Sequence, residues 1–79
     1  MTDAEARTVI AAVLRGIAPE VDLAMCDNTE PLGRELDLDS MDMLALLTGI
    51  GERTGIDIPE TDIEADWSLD DLAAYLVET

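Results

Sequence analysis

Three stretches of this chain repeat apolar residues at intervals of three and four, and that periodicity leaves little choice of fold. Val9, Ile10, Val13, Leu14 and Ile17 make the first stripe. Met43, Leu46, Leu47 and Ile50, closed by Thr54, make the second, and Leu69, Leu72, Ala73 and Leu76 the third. Such spacing puts the side chains on one face of an α-helix. Thr2 with Glu5 three positions on has capping-box spacing, Gly16 weakens the far end and Pro19 stops it, so a helix is expected over 3–17. Asp39 is a good N-cap with Asp42 in the first turn, and Gly55 suits the position after a helix end, so a second helix runs from Asp39 or Ser40 to about Thr54. Ser68 caps a last helix over 69–78, with Asp71 at its third position. Pro59 begins a turn, and "ETDIEAD" after it reads as a short helix with Ile63 inward. The expected fold is all-α, a small four-helix bundle of three main helices and one short one, a single domain over 1–79.

The connection over 18–39 is long for a compact domain, and such loops are often functional. It is not a disordered linker, since Val21, Leu23, Met25, Leu32, Leu36 and Leu38 can pin it to the helices. A short helical turn fits around Leu32 to Leu36. Gly49 and Gly51 each cost the second helix roughly 1 kcal/mol of propensity relative to Ala, which suggests a loosened or closely approached second half.

Charge narrows the partners. There are 19 acidic residues against four arginines, with no Lys and no His, for a formal net charge of −15. Such a surface repels nucleic-acid backbones and anionic membranes, so protein partners with basic contact surfaces are expected. No apolar stretch approaches the roughly 18 residues of a membrane span. The single cysteine, Cys26, excludes an intramolecular disulfide and reads as a partly buried thiol in a reducing cytoplasm. Without His or a second Cys there is no Ser-His or Cys-His pair and no zinc set, so the chain is read as a non-enzyme.

The second helix is apolar on more than one side. Met43, Leu46, Leu47 and Ile50 face the core, whereas Met41, Leu44, Ala45 and Thr48 point elsewhere and could meet a partner. Ser40 opens this helix, where unpaired N–H groups and the helix dipole favour an anion such as a phosphate ester. The two flanking carboxylates oppose such an ester, and by local physics alone Ser40 reads as a simple cap.

The run "LDLDSMDMLALLTGIGERTGIDIPETD" resembles the acyl carrier protein family. Asp39, Ser40, Met41 and Asp42 match its hallmark at the start of the second helix, and Ile58 with Pro59 matches its second landmark. The resemblance covers essentially the whole chain, including the closing "SLDDLAAYL". It implies that Ser40 Oγ is the attachment point for 4′-phosphopantetheine, donated by coenzyme A through a phosphopantetheinyl transferase. It implies that Asp39 engages the transferase and its magnesium, and that Met41 is docked by partner enzymes. Asp42, Leu44, Ala45 and Thr48 extend that docking face. Leu46, Leu47, Ile50, Ile63 and Leu69 are the expected lining of an acyl cavity, their alternative role being ordinary core. The implied partners are an acyl-loading ligase or acyltransferase and downstream synthase enzymes of fatty acid, polyketide or other specialised acyl metabolism. A cytoplasmic monomer is expected.

Two departures from the family pattern stand out. Asp37 occupies a position where the family often has Gly, tolerable if its backbone angles are ordinary. Ala45 and Gly51 stand where carriers of housekeeping fatty acid synthesis have glutamates, which favours a specialised, stand-alone carrier. "DLDS" is unlike the arrangement of peptidyl carriers. Two other readings compete. One is an unmodified acidic adaptor that keeps the fold, binds a basic partner and tolerates replacement of Ser40. The other is a calcium loop starting at Asp62, Glu64 and Asp66. That loop would have Trp67 at its glycine position and Ala73 at its closing ligand, so its turn and its bidentate ligand are both missing.

Overall fold

The computed structural model describes residues 1–22, 25–58 and 67–78. Four helices lie among them: α1 (Asp3–Ile17), α2 (Leu32–Glu35), α3 (Ser40–Thr54) and α4 (Leu69–Glu78). The all-α expectation holds, and the three long helices fall where their stripes and caps put them. The short helix seen, α2, is the turn expected around Leu32 to Leu36. The one expected over 60–66, with Ile63, lies outside the described residues.

Each long helix is opened by a reciprocal cap, which satisfies N–H groups that the helix cannot. Thr2 Oγ1 accepts from Glu5 N at 3.2 Å while Thr2 N donates to Glu5 Oε1 at 3.0 Å. Ser68 and Asp71 do the same for α4, at 3.1 and 3.0 Å. Gly55 ends α3 in the left-handed conformation, φ 75°, with its N–H on Gly51 O. A side chain there would be strained, so Gly is the residue that can end this helix.

α1 packs against both α3 and α4. The core is aliphatic: Ile10, Leu14, Leu46, Ile50, Leu72 and Leu76 are its largest fully buried side chains. Trp67 and Tyr75 pack against its edge, their rings tilted with centroids 5.6 Å apart. Arg7 ties α1 to the start of α4, donating to Asp70 at 2.6 Å and to Asp3 at 2.8 Å. These pairs are half-exposed and add little stability.

The α1–α2 connection is pinned as expected at Leu32, Leu36 and Leu38, all buried, and at Val21, which packs against the core. Met25 differs, being 82% exposed. Its N–H donates to Asp22 O at 3.0 Å. Leu23 lies outside the described residues. Backbone bonds from Leu32 N to Trp67 O (2.9 Å) and from Asp70 N to Asn28 O (3.1 Å) fasten the connection to the start of α4.

The two mid-helix glycines of α3 now separate. A Cβ on Gly49 would come within 2.6 Å of Val13 Cγ1, so α1 and α3 touch there through a missing side chain. Val13 is β-branched on a helix and cannot swing away easily. Gly49→Ala is therefore expected to lower stability by up to about 2 kcal/mol, an overpacking cost of about 1–3 offset by about 1 of helix propensity. Val13→Ala in the same chain should recover part of that loss. Chemical denaturation of the two variants and wild type checks this.

Candidate functional site

Ser40 is the first residue of α3, and the residues before it determine how it is presented. Asp37 takes a left-handed conformation, φ 55°. The condition read from sequence, that Asp is tolerable here if its backbone angles are ordinary, is thus not met. The chain must reverse between α2 and α3, and Leu38 N bonds back to Gly33 O at 3.0 Å to close that turn. Asp is among the few non-glycine residues that visit this region. Asp37→Val is expected to cost about 1–2 kcal/mol and Asp37→Gly to leave stability nearly unchanged. Urea midpoints measure both.

Asp39 caps α3. Its Oδ1 accepts from Asp42 N at 2.8 Å, and Asp42 Oδ2 accepts from Asp39 N over a longer 3.4 Å. The Asp39 φ of −88° with ψ of −177° is the extended backbone an N-cap needs. This arrangement uses one oxygen of the Asp39 carboxylate. Asp39 Oδ2 has no hydrogen bond among the described residues, and the residue is exposed.

Ser40 is exposed, and its hydroxyl makes no hydrogen bond among the described residues. The N–H groups of Ser40 and Met41 lie in the first turn, where no helical carbonyl reaches them. An anion attached at Ser40 Oγ would meet these N–H groups and the positive end of a helix of 15 residues. The chain has only one other serine, Ser68. It is 4% exposed, and its hydroxyl is committed to the cap of α4. The two serines are both helix-opening residues, yet only Ser40 leaves its oxygen free.

The outward face of α3 follows Ser40 directly. Met41 is 72% exposed and Leu44 is exposed too, large apolar side chains in water. Ala45 and Thr48 are exposed beside them, and Asp42 is half-buried. The inward face holds Leu46, Leu47 and Ile50, with Met43 packed against the core. The two faces expected from sequence are both present.

A groove of about 550 Å³ runs along α3, bounded by Leu44, Leu47, Thr48, Gly51 and Glu52 on the helix and by residues 55–58 opposite. Ser40 lies on the same stripe of α3, one turn and about 6 Å before Leu44. Of the expected cavity residues, Leu47 borders this groove. Leu46, Ile50 and Leu69 are in the packed core, and Ile63 lies outside the described residues. Ile56 and Asp57 border the groove but carry no spacing signal of their own. They follow the Gly55 reversal, which alone could have pointed to them.

Cys26 is half-buried, and its thiol donates to Asp22 O at 3.2 Å. Burial pushes its pKa up, and the carboxylates of Glu35 and Asp22 add to that. The thiol therefore stays protonated at neutral pH, with the character of a small hydrophobe. No group of three or more His, Cys, Asp or Glu among the described residues could hold a metal ion. No helix among the described residues is long and apolar enough to cross a membrane.

Residues 6–76 match a protein family described as "phosphopantetheine attachment site". No curated protein and no solved structure matches the chain.

Proposed function

The chain belongs to the phosphopantetheine attachment-site family, and from that premise we propose that it carries acyl groups as thioesters on a 4′-phosphopantetheine arm attached to Ser40 Oγ. Members of this family bind 4′-phosphopantetheine covalently and act as non-catalytic carriers. The observation that carries the assignment to Ser40 is the contrast between the two serines. Ser40 offers an exposed, unbonded hydroxyl, whereas Ser68 is buried and committed to a cap.

The residues present fit the arm. In attachment, a bond forms between Ser40 Oγ and phosphorus, the diphosphate of coenzyme A breaks, and adenosine bisphosphate leaves. The serine proton passes to a base on the transferase. The resulting phosphodiester is an anion, and the free N–H groups of the first turn of α3 stabilise it. The arm, once attached, supplies a terminal thiol that holds the acyl group. Asp39 has two tasks. One oxygen holds the first turn of α3 in shape, and the other is available to a transferase-bound magnesium.

Met41, Leu44, Ala45 and Thr48, with Asp42 at their edge, form the docking face for the transferase, the acyl-loading ligase or acyltransferase, and the downstream synthase enzymes. The apolar side chains give contact area. The −15 charge of the chain steers basic partners to fast, weak encounters, which suit a shuttle. The pathway proposed is specialised acyl metabolism in the cytoplasm, because α3 has Ala45 and Gly51 where a more acidic helix would serve housekeeping synthases.

Two experiments follow. Incubation with coenzyme A, magnesium and a broad-specificity phosphopantetheinyl transferase should raise the intact mass by one phosphopantetheine. A folded chain that gains nothing with several transferases would favour the unmodified adaptor. Asp39→Asn should keep the cap, since Asn caps as well as Asp, yet slow loading by an order of magnitude or more. That is the scale for losing one charged partner of a metal or cationic group, about 1.5–3 kcal/mol. Initial loading rates beside thermal unfolding separate the two tasks.

A further inference from the structure

A methionine thioether is apolar but carries an oxidisable sulfur, and exposure decides how readily an oxidant reaches it. The chain has four methionines. Met43 is half-buried and packs against the core. Met1 is 42% exposed, whereas Met25 and Met41 are 82% and 72% exposed. Met25 lies in the α1–α2 connection. Met41 is the second residue of α3, directly after Ser40.

That adjacency couples the two side chains. Their Cα atoms are about 3.8 Å apart, and a protein–protein contact covers about 800 Å² of each partner. An enzyme that reaches Ser40 Oγ therefore also covers Met41. Cys26, which carries the remaining sulfur, is half-buried with its thiol donating to Asp22 O. Burial keeps that thiol in its protonated, less reactive form.

We infer that Met41 is a sulfoxidation site, and that its oxidation by a hydroperoxide slows the enzymes that must cover it to reach Ser40. This rests on the carrier function proposed above. The thioether sulfur attacks one peroxide oxygen, so an S–O bond forms and the O–O bond breaks. The proton moves to the leaving oxygen, and water or an alcohol departs. Sulfur is oxidised and the peroxide is reduced by the same electron pair. The product places a polar oxygen beside Leu44 on the outward face of α3. A partner surface shaped for a thioether then buries that oxygen unpaired, at a cost of about tenfold in rate. The fold is untouched, because Met41 lies outside the core. Methionine sulfoxide reductases restore the thioether, one enzyme for each sulfoxide epimer, so the brake on loading is reversible.

The test uses the full chain before the arm is attached. Wild type, Met41→Leu and Met25→Leu are treated with hydrogen peroxide, followed by peptide mass mapping and stopped while Met43 is intact. Catalase removes the oxidant, and dithiothreitol returns reversible Cys26 products to the thiol. Initial phosphopantetheine loading rates at low chain concentration are compared with those of each chain's own untreated form, so any changed baseline in Met41→Leu cancels. Wild type and Met25→Leu should slow about tenfold with helical circular dichroism unchanged. Met41→Leu should keep its own untreated rate. Reductases of both epimer specificities should restore the wild type. A slowing that persists in Met41→Leu or comes with loss of helix, a full rate in wild type with Met41 converted, or a Met41 that resists peroxide while Met25 reacts would overturn the inference while the carrier function stands. An untreated chain that never loads would overturn both.

Discussion

Ser40→Ala is expected to abolish phosphopantetheine loading completely while leaving the fold intact. The loss is total because the substitution removes the oxygen that must bond to phosphorus, and the other serine cannot replace it. Ser68, the other serine, has its hydroxyl buried under the start of α4 and bonded by Asp71 N. The fold survives because Ser40 contributes little to it. The cap of α3 belongs to Asp39, and the Ser40 hydroxyl has no partner among the described residues. Ala is the better helix former, so stability should hold or rise by a few tenths of a kcal/mol. Ser68→Ala should do the reverse. It removes a cap worth about 1 kcal/mol and leaves loading of the folded chain unchanged. Intact mass and thermal unfolding, measured on the same two variants, should show opposite patterns.

The largest structural effect is expected from Ile50→Ala. Ile50 has no exposed surface and sits on the inward face of α3, in the core that α1 and α4 share. Removing its outer carbons loses their transfer energy and leaves a cavity, at a cost of about 2–5 kcal/mol. At 0.05–0.15 kcal/mol per residue, a domain of this size has roughly 4–12 kcal/mol in total. A large share of the fold's stability thus hangs on this one side chain. Leu44→Ala, one turn and a half away on the outward face, should cost less than 1 kcal/mol. It should instead weaken docking of partner enzymes. Urea denaturation midpoints for the pair would show whether α3 divides its labour as its two faces suggest.

The helices were legible in sequence because two independent signals agreed. The apolar stripes fixed the buried faces, and Thr2, Asp39 and Ser68 with their acidic partners fixed the starts. All three caps formed as read. The outward face of α3 was legible for the same reason, since a stripe of Met41 and Leu44 off the core axis has nowhere to go but out. What the sequence left open or misread depended on tertiary geometry. Whether Asp37 takes ordinary or left-handed angles depends on how sharply α2 must turn into α3. Gly49 and Gly51 are alike in sequence, and only the position of Val13 tells them apart. Met25 resembled a core pin by hydropathy, but its side chain lies in solvent. The groove was the least legible feature, because half of it comes from the segment after Gly55, which has no periodicity to read.

The most direct test of the central claim is to locate the attached group. The loaded wild-type chain would be fragmented, and the residue bearing the added phosphopantetheine identified by mass spectrometry. The account predicts one modification, on Ser40, at the first turn of α3. A modification on Ser68 or on a threonine, or a folded chain that is never modified, would contradict it.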